Sequence, residues 1–223
     1  MTAWLRQRGL SLVTLVVFLG TWGCLVFAGH QQFNEERRQH GEHSLSLPEY
    51  LQSGHFWEAT GENWESAFLQ SAAYVLLTAF LYQKGSAESK DPDKREAVDR
   101  DPFEVRGKAL AQAPWPVRRR GWVLWLYQYS LSIAFAVLFL LALWMHAAGG
   151  ASAYNAEQLD HGGTTVSVAG YFLTSQFWFE SLQNWQSEFM SLFAMVVLSI
   201  FLRHRGSPES KPVDAAHSDT GAG

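Results

Sequence analysis

Cysteine is nearly absent: Cys24 is the only one in 223 residues. That excludes an internal disulfide framework and any zinc or iron–sulfur site built on thiolates. An excess of basic charge is missing as well. Lys and Arg number 17 against 21 Asp and Glu, a net charge of −4. A nucleic-acid binder would carry a basic face, so no nucleic-acid partner is expected. The sequence has no H-E-x-x-H zinc motif, no Ser-His-Asp arrangement and no Gly-rich phosphate loop. Gly149-Gly150 and Gly162-Gly163 read as turns. With no catalytic constellation and no cofactor motif, a non-enzymatic role and no cofactor are expected.

The most telling shortage is of charge in two long stretches. Hydrophobic residues make up 48% of the chain, yet mean hydropathy is only −0.09, so apolar and polar residues are segregated into blocks. No Asp, Glu, Lys or Arg lies between Arg8 and Glu35, and none between Arg120 and Glu157. Each run is long enough to cross about 30 Å of hydrocarbon at about 1.5 Å per residue. Two weaker runs lie near residues 66–83 and 189–202. The sequence therefore predicts four transmembrane helices, at about residues 10–28, 65–83, 121–146 and 184–203. A cleaved signal peptide is the rival reading of the first. Its apolar core exceeds the usual h-region of roughly 7–15 residues and no A-x-A-like site follows, which favours a retained anchor. Cys24 there reads as a small apolar residue.

Basic residues set the expected orientation. All but Arg37 and Arg38 of the 17 fall before the first run, in the middle segment, or after the last run. With four crossings this places both termini and the middle segment in the cytoplasm. Arg118 to Arg120 then read as a topology determinant with affinity for anionic lipid.

A self-comparison gives the clearest pattern. At a constant offset of 121, residues 50–90 overlay residues 171–211 with 17 identities in 41 positions. The matches include Phe56/Phe177, Trp57/Trp178, Asn63/Asn184, Trp64/Trp185 and Ser66/Ser187, and each copy ends in Gly-Ser-x-Glu-Ser-Lys. The expected fold class is thus all-α: an integral-membrane four-helix bundle of two tandem two-span repeats in parallel orientation, with a pseudo-twofold axis along the membrane normal. The expected organisation is a first repeat over residues 9–90, a mostly disordered cytoplasmic linker at 91–119, a second repeat over 120–211 and a disordered tail at 212–223. Gly85 and Gly206 are expected at helix C-termini, and Ser53 and Thr174 as N-caps. Trp57, Trp64, Trp178 and Trp185 are expected as interfacial anchors.

Candidate chemistry concentrates on a polar shoulder at the outer ends of the second and fourth predicted spans. It comprises Glu58, Glu62, Asn63, Glu65 and Ser66 in one copy, and Glu180, Asn184, Gln186, Ser187 and Glu188 in the other. Carboxylates at membrane depth are costly unless paired or hydrated, so Glu65 and Glu188 are candidates for an ion path. The plainer reading is that they snorkel to headgroups or accept hydrogen bonds from Trp and Asn of a neighbouring helix. The copies differ, since Glu65 corresponds to Gln186 and Glu188 to Ala67. His40 and His43 have the spacing of a weak metal-ligand pair, and solvated loop histidines are the simpler reading.

The repeated Phe-Trp…Asn-Trp-x-Ser-x-Phe, a span, and Gly-Ser-x-Glu-Ser-Lys resemble a family of small bacterial integral-membrane proteins known by a domain-of-unknown-function label. In that family the shoulder typically reads Asn-Trp-Glu-Ser-Glu-Phe; Ala67 and Gln186 depart from it here. The resemblance implies a multi-pass protein of the bacterial cytoplasmic membrane and brings no activity. The expected role is a structural or interaction component in the lipid bilayer, alone, as a homodimer or with another membrane protein. The alternative is a small homo-oligomeric transporter or channel for a proton, ion or small solute, using the shoulder carboxylates.

Overall fold

The computed structural model describes residues 3–221; the first two residues of the expected cytoplasmic N-terminus and the last two of the expected tail lie outside the described residues. Among the described residues all regular secondary structure is helical. The elements are α1 (Ala3–Gln39), α2 (Leu47–Tyr50), α3 (Gly54–Phe80), α4 (Gly107–Gln112), α5 (Trp115–Arg119), α6 (Gly121–Gln128), α7 (Ser130–Asp160), α8 (Val168–Tyr171) and α9 (Ser175–Phe201). Two 3-10 turns, Ala97–Asp99 and Pro102–Glu104, precede α4.

The four-span bundle is not what the structure supports. Among the described residues only two helices are long and apolar enough to cross a membrane, Gln7–Gln39 within α1 and Ser130–Asp160, which is α7. The physical reason lies in the other two long helices. α3 and α9 have 27 residues each, but their first halves carry Glu58, Glu62, Asn63 and Glu65, or Glu180, Asn184, Gln186 and Glu188. From Glu65 to Phe80 about 22 Å of helix remains, and from Glu188 to Phe201 about 20 Å, both short of a 30 Å core. Helical length was present; uninterrupted apolar length was not. The orientation argument falls with the count, because the tally of basic residues presupposes four crossings.

The third predicted span is also displaced. The apolar run from residue 121 is broken at Tyr129, whose φ of −109° and ψ of 8° leave the helix. Ser130 Oγ donates to Tyr127 O at 2.8 Å, a local side-chain bond that competes with helix continuation. The candidate span therefore starts at Ser130 and runs on to Asp160.

The chain divides into two compact units. The first comprises Met1–Gly61 and Met145–Leu173. Here α1 and the end of α7 each hold a following loop with an asparagine. Asn34 Nδ2 donates to Leu45 O at 2.9 Å and its Oδ1 accepts from Leu45 N at 2.7 Å. Asn155 makes the same pair of bonds to Val166, at 2.9 and 2.7 Å. Tyr50 and Tyr171 are buried at 2% and 0% exposure. Each lies against a helix glycine: a Cβ on Gly29 would come within 2.2 Å of the Tyr50 hydroxyl, and one on Gly150 within 2.4 Å of the Tyr171 ring. The start of α3 approaches α7 closely as well. A Cβ on Gly61 would meet His146 N at 2.3 Å, and one on Gly149 would meet Glu58 N at 2.3 Å.

The second unit comprises Glu62–Trp144 and Thr174–Gly223. It holds the rest of α3, the segment through α6, the start of α7, and α9 with the tail. Thr174 caps α9, its Oγ1 accepting from Phe177 N at 3.2 Å; in the first unit Ser53 Oγ accepts from Phe56 N at 3.3 Å. Gly85 and Gly206 adopt left-handed φ of +88° and +86°. They do not close the helices directly. α3 and α9 stop at Phe80 and Phe201, and each glycine sits in a separate turn. Ser86 N bonds Gln83 O at 3.1 Å in one turn, and Ser207 N bonds His204 O at 3.2 Å in the other.

Candidate functional site

The polar shoulder is split between the two units. In the first, Glu58 sits on the opening turns of α3 and accepts a hydrogen bond from the Tyr171 hydroxyl at 3.0 Å. The close helix approach at Gly61 and Gly149 also brings its carboxylate to His146 of α7, with ligand atoms within 4.8 Å. His146 is fully buried. A carboxylate and an imidazole at this separation can supply two ligands to a borderline divalent cation. The sequence shows His146 in an otherwise apolar run, near the outer boundary of the predicted span; its approach to Glu58 is not visible there because that residue lies on another helix.

In the second unit the shoulder forms direct ties between α3 and α9. Asn184 Nδ2 donates to Glu62 Oε1. Trp185 Nε1 donates to Glu65 Oε1 at 3.1 Å. Glu65 is 0% exposed and Ser66 3%. Asn184 also donates to Glu180 O at 3.2 Å, and Gln176 Nε2 donates to Glu180 Oε1 at 2.9 Å. Ser66 and Ser187 turn back to carbonyls three residues earlier, of Asn63 and Asn184 respectively. Gln186 Nε2 donates to Gln183 O at 3.3 Å on the exposed face. Glu188 is half-buried and Asn63 exposed. Thus Glu62, Glu65, Asn184 and Trp185 come together, whereas Gln186 does not join them.

The tryptophans differ in role. Trp57 and Trp178 are 41% and 46% exposed, while Trp64 and Trp185 are half-buried. Trp185 directs its ring N–H to Glu65. Both His40 and His43 are exposed, and among the described residues neither belongs to a group of three potential metal ligands.

A second histidine lies in the first unit. The His55 ring packs on Phe33 at 4.9 Å between centroids and on Tyr50 at 6.0 Å. Its Nδ1 is buried without a hydrogen bond among the described residues. Burial pulls the His55 pKa below its ordinary value, with Glu36 opposing. Burial likewise raises that of Tyr50.

Together these features define a helical protein with, among the described residues, two helices long and apolar enough to cross a membrane and part-buried carboxyl–amide and carboxyl–indole ties. The chain belongs to the family described as Domain of unknown function (DUF6766), which matches residues 1–222. No curated protein and no solved structure matches it.

Proposed function

We propose that this chain is a membrane-embedded, non-enzymatic component of the bacterial cytoplasmic membrane, serving a structural or interaction role. The observation that carries this reading is the state of α1. None of its most apolar stretch is buried inside the protein, although the helix is long enough to cross a bilayer. Leu10, Val16 and Phe27 are 81%, 68% and 61% exposed. Monomeric soluble proteins rarely leave so large a continuous apolar surface in water, so lipid or a partner helix covers it. α7 supports the same reading, with only 17% of its apolar stretch buried.

Tandem duplication is part of the proposal. The bounds of α2 and α8, and of α3 and α9, each differ by 121 residues, the offset of the sequence identities. The Asn34–Leu45 and Asn155–Val166 bonds differ by the same offset. A transporter role for Glu65 has less support, because that carboxyl is fully enclosed and engaged with Trp185.

Alkaline carbonate extraction of membranes tests the reading. Retention in the pellet is expected; release with peripheral proteins overturns it. Proton and ion flux in proteoliposomes tests the alternative. Flux above empty liposomes that falls in Glu65→Gln would replace the structural reading with the transporter.

A further inference from the structure

The chain carries two Gly-Ser-x-Glu-Ser-Lys turns that are alike inside and unlike outside. In each, the second serine accepts from the backbone after the helix: Gln83 N to Ser89 Oγ at 2.9 Å and His204 N to Ser210 Oγ at 2.9 Å. In each, the first serine accepts from the glutamate N–H, at 3.1 and 3.2 Å. The closing lysines then diverge. Lys90 pairs with Asp99 at 2.7 Å. Lys211 has no carboxylate partner among the described residues, and it is 2% exposed.

Backbone carbonyls surround the Lys211 ammonium instead. It donates to Gly85 O, to Asp219 O at 2.8 Å, to His217 O at 3.0 Å and to Ala216 O at 3.2 Å. Three of these oxygens belong to the C-terminal segment and the fourth to the first turn. The same segment makes further bonds at its far end. Thr220 Oγ1 accepts from Gly85 N at 2.9 Å, and Gly221 N donates to Ser86 O at 3.0 Å. Arg203 adds a bond from its guanidinium to Ala215 O at 3.2 Å. Ser86 is fully buried beneath this cover and bonds Ser199 at 2.9 Å. The corresponding second turn is less covered: Gly206 is exposed, and a cavity of about 600 Å³ lies between this turn and the first residues of the tail, Pro212 to Asp214.

We propose that residues 212–221 form a strap, closed over the Gly85–Ser86 turn by the Lys211 ammonium in its carbonyl cage. An ammonium is the one side-chain group with three N–H donors and no acceptor, so it fits a site made only of carbonyl oxygens. The four carbonyls supply no counter-charge to this buried ammonium, whereas the part-exposed Lys90 has one in Asp99, so the two turns are closed by different chemistry. Opening the strap uncovers Ser86 and leaves both turns accessible. The strap stands on these bonds alone and does not depend on the membrane reading.

The test uses the full chain in a Cys24→Ser background with Ser218→Cys carrying a nitroxide label. The expected result is an immobilised label in the parent, with loss of that component in Lys211→Met but not in Lys90→Met. In Lys211→Ala the missing atoms are those of n-propylammonium, and adding this ion is expected to restore the immobilised signal. A label already mobile in the parent overturns the proposal, as does one equally immobile in Lys211→Met. If Lys211→Met loses helix content by circular dichroism, the n-propylammonium rescue of Lys211→Ala decides, and an ion that leaves the label mobile overturns the strap.

Discussion

Glu65 carries a carboxyl group in an enclosed place. It is fully buried, and its carboxyl receives the Trp185 indole N–H at 3.1 Å. Removing one partner of such a bond strands the other, at a cost of about 1–3 kcal/mol. A double-mutant cycle of Glu65→Ala and Trp185→Phe, read by thermal unfolding in detergent, is expected to return a coupling of about that size. Coupling near zero would mean that the two side chains act independently. Thr60 behaves oppositely. Its hydroxyl is buried and has no hydrogen-bond partner among the described residues. Thr60→Val keeps the shape and deletes the unmet group, so stability is expected to stay level or rise by about 1 kcal/mol. His55 gives a pH signature. Its folded pKa lies below its ordinary value because burial disfavours the imidazolium. On acidification the unfolded chain takes up a proton near pH 6.5 while folded His55 resists, so stability is present above that pH and falls below it. His55→Phe is expected to flatten the melting-temperature difference between about pH 7.5 and 5.5 relative to the parent. At this scale the polar shoulder was legible from composition and spacing. Acceptance from Trp and Asn of a neighbouring helix was legible too, as the plainer reading; which partners, Asn184 for Glu62 and Trp185 for Glu65, was not, because partners more than a hundred residues apart meet only through tertiary packing.

Helices α3 and α7 meet in the first unit through glycine. Side chains at Gly61 and Gly149 would meet backbone atoms of the facing helix at 2.3 Å, and backbone cannot swing aside. Alanine at either position is expected to push the helices apart and cost about 1–3 kcal/mol. Gly9 and Gly23 of α1 provide the contrast, since a Cβ there meets nothing within 4 Å. Alanine at those sites removes a helix-weakening residue and is expected to gain up to about 1 kcal/mol. Thermal unfolding of the four variants should therefore give opposite signs; uniform effects would show that α3 and α7 do not approach this closely. That α1 and α7 each hold a stretch apolar enough to cross a membrane was legible because a charge-free run announces itself; the bounds of the two helices were not. The break at Tyr129 was not, since its apolar neighbours continue the pattern and the interruption rests on the Ser130 hydroxyl turning to Tyr127 O. α3 and α9 were over-read for a related reason. Their helical periodicity is real, but glutamates and amides occupy the half that a membrane span would need to keep apolar.

For the whole molecule, the decisive question is which apolar surface meets lipid. Val16 in α1 and Leu140 in α7 are 68% and 59% exposed within stretches that pass the length and polarity requirements of a span. Phe193 in α9 is 63% exposed, but its helix does not meet those requirements. Exposure alone therefore cannot separate the three positions; the continuity of apolar sequence around them does. An arginine at the centre of a membrane helix costs about 2.5–3.5 kcal/mol on insertion scales, roughly a hundredfold in the inserted fraction. One substituted helix leaves the other to hold the chain, so the informative variant carries both Val16→Arg and Leu140→Arg. It is expected to move from the carbonate-resistant pellet to the supernatant or to be degraded, while Phe193→Arg stays in the pellet. Full retention of the double variant would show that neither helix is the anchor, and the exposed face of α1 would then have to be covered by protein.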